Sequence, residues 1–292
     1  MQFISLMDLA QMWPRPWPED DKYSRGVVGI DTGSARYPGA AVLSVLGALN
    51  AGAGFIRFIG AEEARPALLV RAPSITYGPG PVNALVIGCG WDDSPDALAT
   101  SQARLDAALA TGAPLVIDAT ALRLLPALMK RSPTTTELLP PDSLLTPHAG
   151  ELAHLLDVSR ATVEHDPEEA ARQAAKRFGA VVLLKGAYQY VASPGHDHVK
   201  LAAAGPAWTA QAGSGDVLAG ICGALLASGL GPYLAALAGA SIQAMTASEH
   251  LGPWPPDRLV EFLPETIARL TSPDDPEFPI EPEYPFFAPP GQ

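Results

Sequence analysis

Apolar positions along this chain fall into two alternating kinds of run. Short continuous runs such as Val181-Val182-Leu183-Leu184 are separated by longer Ala- and Leu-rich stretches with the spacing of helices. A strand that is apolar at every position must be covered on both faces. Strands alternating with helices predict an α/β fold, with a mostly parallel sheet between two helical layers. The pattern predicts strands over Val27–Asp31, Phe55–Ile59, Leu68–Val70, Ala84–Ile87, Leu115–Asp118, Leu144–Thr146, Val181–Lys185 and Tyr190–Ala192. It predicts helices over Pro38–Ala51, Pro95–Ala110, Ala121–Leu128, Ala149–Leu156, Pro167–Phe178, Asp216–Ser228, Tyr233–Leu251 and Pro256–Leu270.

No break in composition divides the 292 residues, and hydrophobic residues make up 48% of them, enough for a sizeable core. We expect a 1–25 extension, one domain over 26–271, and a tail over 272–292 rich in Pro and acid. The tail's aromatics, Phe278, Tyr284, Phe286 and Phe287, offer it a way to dock. The most apolar segment, Val217 to Leu230, ends at Gly231-Pro232 and is shorter than the roughly 20 residues of a membrane span. The first positive charge, Arg15, follows the apolar start rather than preceding it, unlike a signal peptide.

The net charge of −12, with no basic cluster, argues against nucleic-acid and membrane partners. An anionic ligand would then need helix N-termini or single lysines. Cys89 and Cys222 lack C-x-x-C spacing and read as free buried thiols of a cytoplasmic protein.

Candidate chemistry collects at strand ends and helix starts. The run Ala212-Gly213-Ser214-Gly215-Asp216 enters a long apolar helix. Glycines permit tight turns and close ligand approach, and free amides at a helix start bind anions. Asp216 is either the helix cap or the group that handles a proton on a reacting hydroxyl. A second Gly-rich entry, Asp31-Thr32-Gly33-Ser34-Ala35-Arg36-Tyr37-Pro38-Gly39-Ala40-Ala41, lacks the Lys-Ser/Thr of a Walker loop. In Thr146-Pro147-His148-Ala149-Gly150-Glu151, His148 can bond a nucleotide, and Glu151 can hold magnesium-bound water or complete a capping box. Lys185 ends an apolar strand before Gly186, which suits a phosphate contact or a snorkelling surface lysine. Asp118 closes another strand at the same ligand edge or caps the following helix.

In order and spacing, these segments resemble the NAD(P)H-hydrate dehydratases, the carbohydrate-kinase-like half of the bifunctional hydrate repair enzymes. The resemblance is carried by RGVVGIDTGSARYPGAAVLSVLGALNAGAGFIRF, PLVIDATAL, LLTPHAGELAHLL, VVLLKGA and AGSGDVLAGICGALLASGL, from about Gly26 to Glu249. It implies a three-layer αβα ribokinase-like (Rossmann-like) fold. It also implies ADP- or ATP-dependent dehydration of NAD(P)H hydrate, by phosphorylation of its hydroxyl and loss of phosphate. The hydrate would meet Ala40, Gly90, His148 and the catalytic Asp216. Adenine nucleotide would meet Lys185, Gly186, Ala187, Tyr188, Gln189, Gly213, Ser214 and Gly215. Mg²⁺ would arrive with the phosphates, with Glu151 holding it through water. A homo-oligomer is expected.

The chain departs from the family pattern in four places. Gly88-Cys89-Gly90-Trp91-Asp92 stands for Gly-Pro-Gly-Leu-Gly, and Asp118-Ala119-Thr120 for Asp-Ala-Asp. Gly205-Pro206-Ala207-Trp208-Thr209 replaces Gly-Asn-Pro-Gly-Met, and Gln243 replaces a common His. Trp91 and Trp208 are expected to crowd the pocket, with Asp92 and Asp93 adding negative charge. Another ribokinase-like kinase, or a degenerate nucleotide-binding scaffold, therefore stays open as an alternative.

Overall fold

The computed structural model describes residues 2–131 and 138–272. The tail aromatics singled out above lie outside them. Ten strands form one sheet: β1 (Gln2–Phe3), β2 (Val27–Asp31), β3 (Phe55–Phe58), β4 (Thr76–Tyr77), β5 (Ala84–Ile87), β6 (Leu115–Ile117), β7 (Leu144–Leu145), β8 (Val181–Leu184), β9 (Tyr190–Ala192) and β10 (Lys200–Leu201). Their order is β1-β10-β9-β8-β7-β6-β5-β2-β3-β4. Every pairing is parallel except the two made by β9.

The helices are α1 (Leu6–Met12), α2 (Pro38–Asn50), α3 (Arg65–Arg71), α4 (Leu98–Ala110), α5 (Ala119–Arg131), α6 (Ala149–Leu156), α7 (Arg160–His165), α8 (Pro167–Phe178), α9 (Ser214–Ala227), α10 (Pro232–Glu249), α11 (Pro256–Leu259) and α12 (Leu263–Leu270). Side chains alternate across a strand, so the sheet feeds two separate cores. Val86, Val116, Leu144 and Leu183 pack toward α2, α9 and α10. Leu85, Ile87, Leu115, Ile117 and Val182 pack toward α4, α5, α6 and α8. This is the expected three-layer αβα arrangement.

On the first face, α2 and α9 touch almost backbone to backbone. A side chain on Gly47 would begin 2.2 Å from the Val217 carbonyl oxygen, and one on Gly220 only 2.0 Å from that of Ser44. This contact ties the start of α9 to the end of β2 through α2. The N-terminal segment is also fastened to the sheet. β1 runs parallel to β10, and Leu9, Ala10 and Trp13 are buried.

Two sequence expectations are corrected. Leu68–Val70 is part of α3, not a strand: Leu68 is buried, while Leu69 and Val70 are exposed. Three apolar residues are too few to tell a period of two from one of 3.6, and Pro66 in the first turn starts a helix there. The single helix expected over Pro256–Leu270 is divided into α11, a 3-10 turn at Val260–Phe262, and α12. Pro264 lies in the first turn of α12, and its ring is incompatible with a continuous helix through the preceding turn. The two-residue strands β1, β4 and β10 were not foreseen, because they are too short to show a period. Among the described residues no helix is long and apolar enough to cross a membrane.

Candidate active site

The C-terminal ends of β5, β6, β7 and β8 meet the N-terminus of α9, the edge where open α/β sheets bind ligands. Gly213 precedes α9 with φ at +94°, a left-handed conformation natural to glycine, and no side chain caps the helix. Asp216 is therefore not the N-cap. It sits in the first turn of α9, and its carboxylate joins Asp118 and Cys89, with ligand atoms all within 4.8 Å of one another.

Lys185 enters the same cluster from the end of β8. Its Nζ donates to Asp118 Oδ1 at 2.6 Å, so its partner is a carboxylate. The snorkelling alternative does not hold, because only 17% of the Lys185 side chain is exposed. Burial opposes the ammonium, but Asp118 and Glu151 outweigh that, and the Lys185 pKa rises. Burial first, and then repulsion from Asp118, push Asp216 up to about 7. The same two causes raise Glu151. Burial, followed by Asp118 and Asp216, raises the Cys89 thiol, which stays protonated and donates to Asp118 Oδ2 at 3.5 Å.

His148 caps α6. Its Nδ1 accepts from the amides of Gly150 and Glu151 at 3.0 and 3.1 Å, and Glu151 Oε2 accepts from the His148 amide at 2.9 Å. This is the capping box considered for Glu151. It fixes both side chains at the mouth of the site. The His148 backbone pairs with that of Lys185, which brings the ends of β7 and β8 into register.

A cleft of about 570 Å³ opens beside this cluster. Of the residues assigned to nucleotide, Lys185, Gly186, Ala187, Gln189, Ser214 and Gly215 line it, and so does His148. Gly213 and Tyr188 are not part of its wall. Tyr188 is instead exposed beside Phe3, with ring centroids 6.3 Å apart. Ala40 and Gly90 do not line the cleft but adjoin each other beside Cys89: a side chain on Gly90, where φ is +62°, would begin 2.4 Å from the Ala40 methyl group. The site thus has a nucleotide-sized cleft at Lys185 and Gly215, with Asp216 next to it in sequence.

A sequence model of the NAD(P)H-hydrate dehydratase family matches residues 28–262. The chain belongs to this family. It is 42% identical over 236 positions to the bifunctional NAD(P)H-hydrate repair enzyme of Mycobacterium tuberculosis, an alignment covering 76% of this chain and 45% of that one. The chain thus spans about half of that longer relative. It is 34% identical over 258 positions to the ADP-dependent (S)-NAD(P)H-hydrate dehydratase of Xanthomonas campestris, covering 82% and 84%. The ADP/ATP-dependent NAD(P)H-hydrate dehydratase of Bacillus subtilis, co-crystallised with ATP/Mg²⁺, superposes with a TM-score of 0.81 at 25% identity, covering 92% and 98%.

The departures from the family pattern acquire physical roles. Trp91 does not crowd the pocket. It is 1% exposed, donates from Nε1 to the Asp31 carbonyl at 2.8 Å, and lies under the Arg104 guanidinium. Arg104 also donates to the Asp31 carboxylate and, at 2.9 Å, to the Gly33 carbonyl. Thr120 Oγ1 donates to the Trp91 carbonyl at 2.9 Å, so the substituted segments brace each other. Asp92 and Asp93 pair with Arg36 and Arg123. Gln243 Nε2 donates to the Ser214 carbonyl at 2.9 Å and anchors the start of α9. Trp208 is 53% exposed and is not part of the cleft wall, although Ala207 and Thr209 beside it are.

Sequence reasoning missed the Asp118–Lys185 pair, the Arg104–Asp31 clamp and the role of Gln243. A signal for the first was present. A lysine closing an apolar strand needs a counter-charge, and Asp118 closes a strand at the same edge.

Proposed function

We propose that this protein dehydrates NAD(P)H hydrate using ADP or ATP as phosphoryl donor. One observation carries the reading. Asp216, half-buried beside Asp118 and Cys89 and with its pKa pushed up to about 7 by desolvation and by Asp118, stands in the first turn of α9 directly after Gly215, which lines the cleft. A base works best when its pKa lies near the operating pH. The hydrate hydroxyl would give its proton to Asp216 while its oxygen attacks the terminal phosphorus, releasing ADP or AMP. The ring C–O bond then breaks with its electron pair going to phosphate, and the adjacent ring carbon gives up a proton to water, which restores the dihydropyridine double bond.

First-turn amides of a helix have no intrahelical partner, so those at the start of α9 suit the charge on the transferred phosphate. Gln243 holds this turn in place through the Ser214 carbonyl. Lys185 adds a fixed positive charge against the same loop. Glu151 fits a water-mediated magnesium role: it is a carboxylate whose orientation is set by the His148 amide and whose neighbours include Lys185 and Asp118. A magnesium ion brought in with the phosphates would offset their charge during transfer. Cys89 and Cys222, both buried and free, support a reducing, cytoplasmic setting.

Incubation with hydrated NADH and Mg²⁺, with ATP, with ADP and with neither, tests the reading. NADH absorbance should recover only when a nucleotide is present. Recovery independent of nucleotide, or no recovery with either, refutes it.

A further inference from the structure

The order of the strand ends divides the site in two. Lys185 follows β8 and lines the cleft, Asp118 follows β6, Cys89 follows β5, and Gly33 follows β2 at the far end of this row. Asp216 meets Asp118 and Cys89 in the middle. In phosphoryl transfer the attacking and leaving oxygens stand roughly in line, so a donor in the cleft needs its acceptor on the Cys89 side. The turn over residues 34–37, before α2, builds that side. The Gly33 amide donates to the Cys89 carbonyl at 2.8 Å, and a side chain on Gly90 would begin 3.0 Å from the Tyr37 carbonyl oxygen. Beside this turn the space is open: a side chain on Gly39 would meet no atom within 4 Å. Charge singles out Arg36 here. Arg104 is taken by Asp31 and the Gly33 carbonyl, and Arg123 by Asp93. The Arg36 side chain is 56% exposed, lies over the Tyr37 ring at 5.1 Å, and stands 3.7 Å from Asp92, wider than a hydrogen bond.

We propose that Arg36 is a specificity-determining residue that binds the pyrophosphate of the NAD(P)H hydrate, and that Asp92 opposes this contact. The proposal rests on the reading of the hydrate as the substrate. That substrate is a dinucleotide, and a single ribose joins its reacting ring to an anionic pyrophosphate. With the ring hydroxyl at Asp216 and the ring beside Gly90, the pyrophosphate comes to the rim of the acceptor side, where the turn carrying Arg36 lies against Gly90. A chain of net charge −12 repels such a ligand unless a local cation meets it. A guanidinium suits the task, because its planar fork bonds two phosphate oxygens at once. Asp92 stands where the family pattern has glycine, and it competes with phosphate for the same fork. Its Oδ1 also accepts from the Ser94 amide at 2.9 Å, so it stays in place when Arg36 turns to the substrate. The two side chains therefore act on hydrate affinity with opposite sign, and only toward a substrate that carries phosphate.

The test uses two fluorescent dihydropyridines, NADH and dihydronicotinamide riboside, which share the ring and differ in the phosphates. Each is titrated into wild type, Arg36→Gln, Arg36→Lys and Asp92→Asn, with saturating ADP and Mg²⁺ to fill the cleft. Arg36→Gln should weaken NADH by about tenfold or more, the loss expected of charge-assisted hydrogen bonds, and leave the riboside within about twofold. Arg36→Lys should recover part of that loss, since it keeps the charge without the fork. Asp92→Asn keeps an acceptor for the Ser94 amide and should tighten NADH by about two- to fivefold, the scale of an exposed ion pair. Equal losses for NADH and the riboside would mean that Arg36 only shapes the turn, and they overturn the proposal. So does unchanged NADH affinity in Arg36→Gln, or wild type that does not bind NADH. In turnover, KM for hydrated NADH should rise by the same factor in Arg36→Gln while kcat and KM for ADP hold, and a fall in kcat with KM unchanged overturns the proposal. Failure of the hydrate reading would appear separately, as absent turnover with the difference between the two probes intact.

Discussion

Replacing Asp216 with Asn should cost turnover and raise stability at the same time. The carboxyl is pushed from 3.8 to about 7 by burial and by Asp118. A group whose folded pKa exceeds its unfolded value contributes stability that is fully present below the unfolded pKa and lost as pH rises through the folded one. For Asp216 the loss therefore begins near pH 4 and is complete above about 7. At about 1.4 kcal/mol per unit, the shift corresponds to an upper limit of roughly 4 kcal/mol at pH 8. Asn matches the shape of the neutral acid and cannot ionise. We expect the variant to be more stable than wild type by about 2–4 kcal/mol at pH 8, a rise of several degrees in melting temperature for a domain of this size. The advantage should shrink below pH 7 and vanish near pH 4. Turnover should fall by about 10²–10⁴, as expected for loss of a general base. Stabilisation by added nucleotide should persist, because no phosphate contact is removed. An equal or lower melting temperature for the variant at pH 8 would refute the electrostatic account, and wild-type turnover would refute the assignment of the base.

Gly215→Val places a branched side chain against Lys185 Nζ, only 3.2 Å from the new Cβ, at a position lining the cleft; thermal-shift titration should show the ADP-induced rise greatly reduced. Arg104→Met removes the counter-charge of Asp31, whose carboxyl is already raised by burial. Urea unfolding at pH 7 should show a loss of about 2–4 kcal/mol, and a loss under about 0.5 would show that the clamp is not structural. Trp208→Ala should change unfolding free energy by no more than about 0.5 kcal/mol, because the ring is half exposed; a larger loss would place it in the core.

The alternation of apolar strands and Ala-rich helices carried the three-layer fold, because buried parallel strands such as Val181–Leu184 leave a continuous signal. It failed where elements were too short to show a period, as at Leu68–Val70 and in the two-residue strands. The glycine-rich entry to α9 at Gly213–Asp216 was legible because glycines before a long apolar helix mark a tight turn, and Gly213 takes φ +94° there. The pairing of Asp118 with Lys185 was not, because β7 lies between their strands and the partnership exists only after the sheet forms. Trp91 looked like an obstruction for the same reason. Its support by Asp31, Arg104 and Thr120 comes from three separate segments. Gln243 was noted only as a departure, and the bond to Ser214 became visible once α10 was packed beside α9.

The central claim is that Asp216 starts a phosphoryl transfer that ends in dehydration. The most direct measurement follows NADH formation and phosphate release together, in wild type and in Asp216→Asn, with hydrated NADH, Mg²⁺ and ADP or ATP. The account predicts one phosphate released for each NADH formed by wild type, with both signals lost together in the variant. NADH formed without phosphate release, or both signals kept at the wild-type rate in Asp216→Asn, would contradict it.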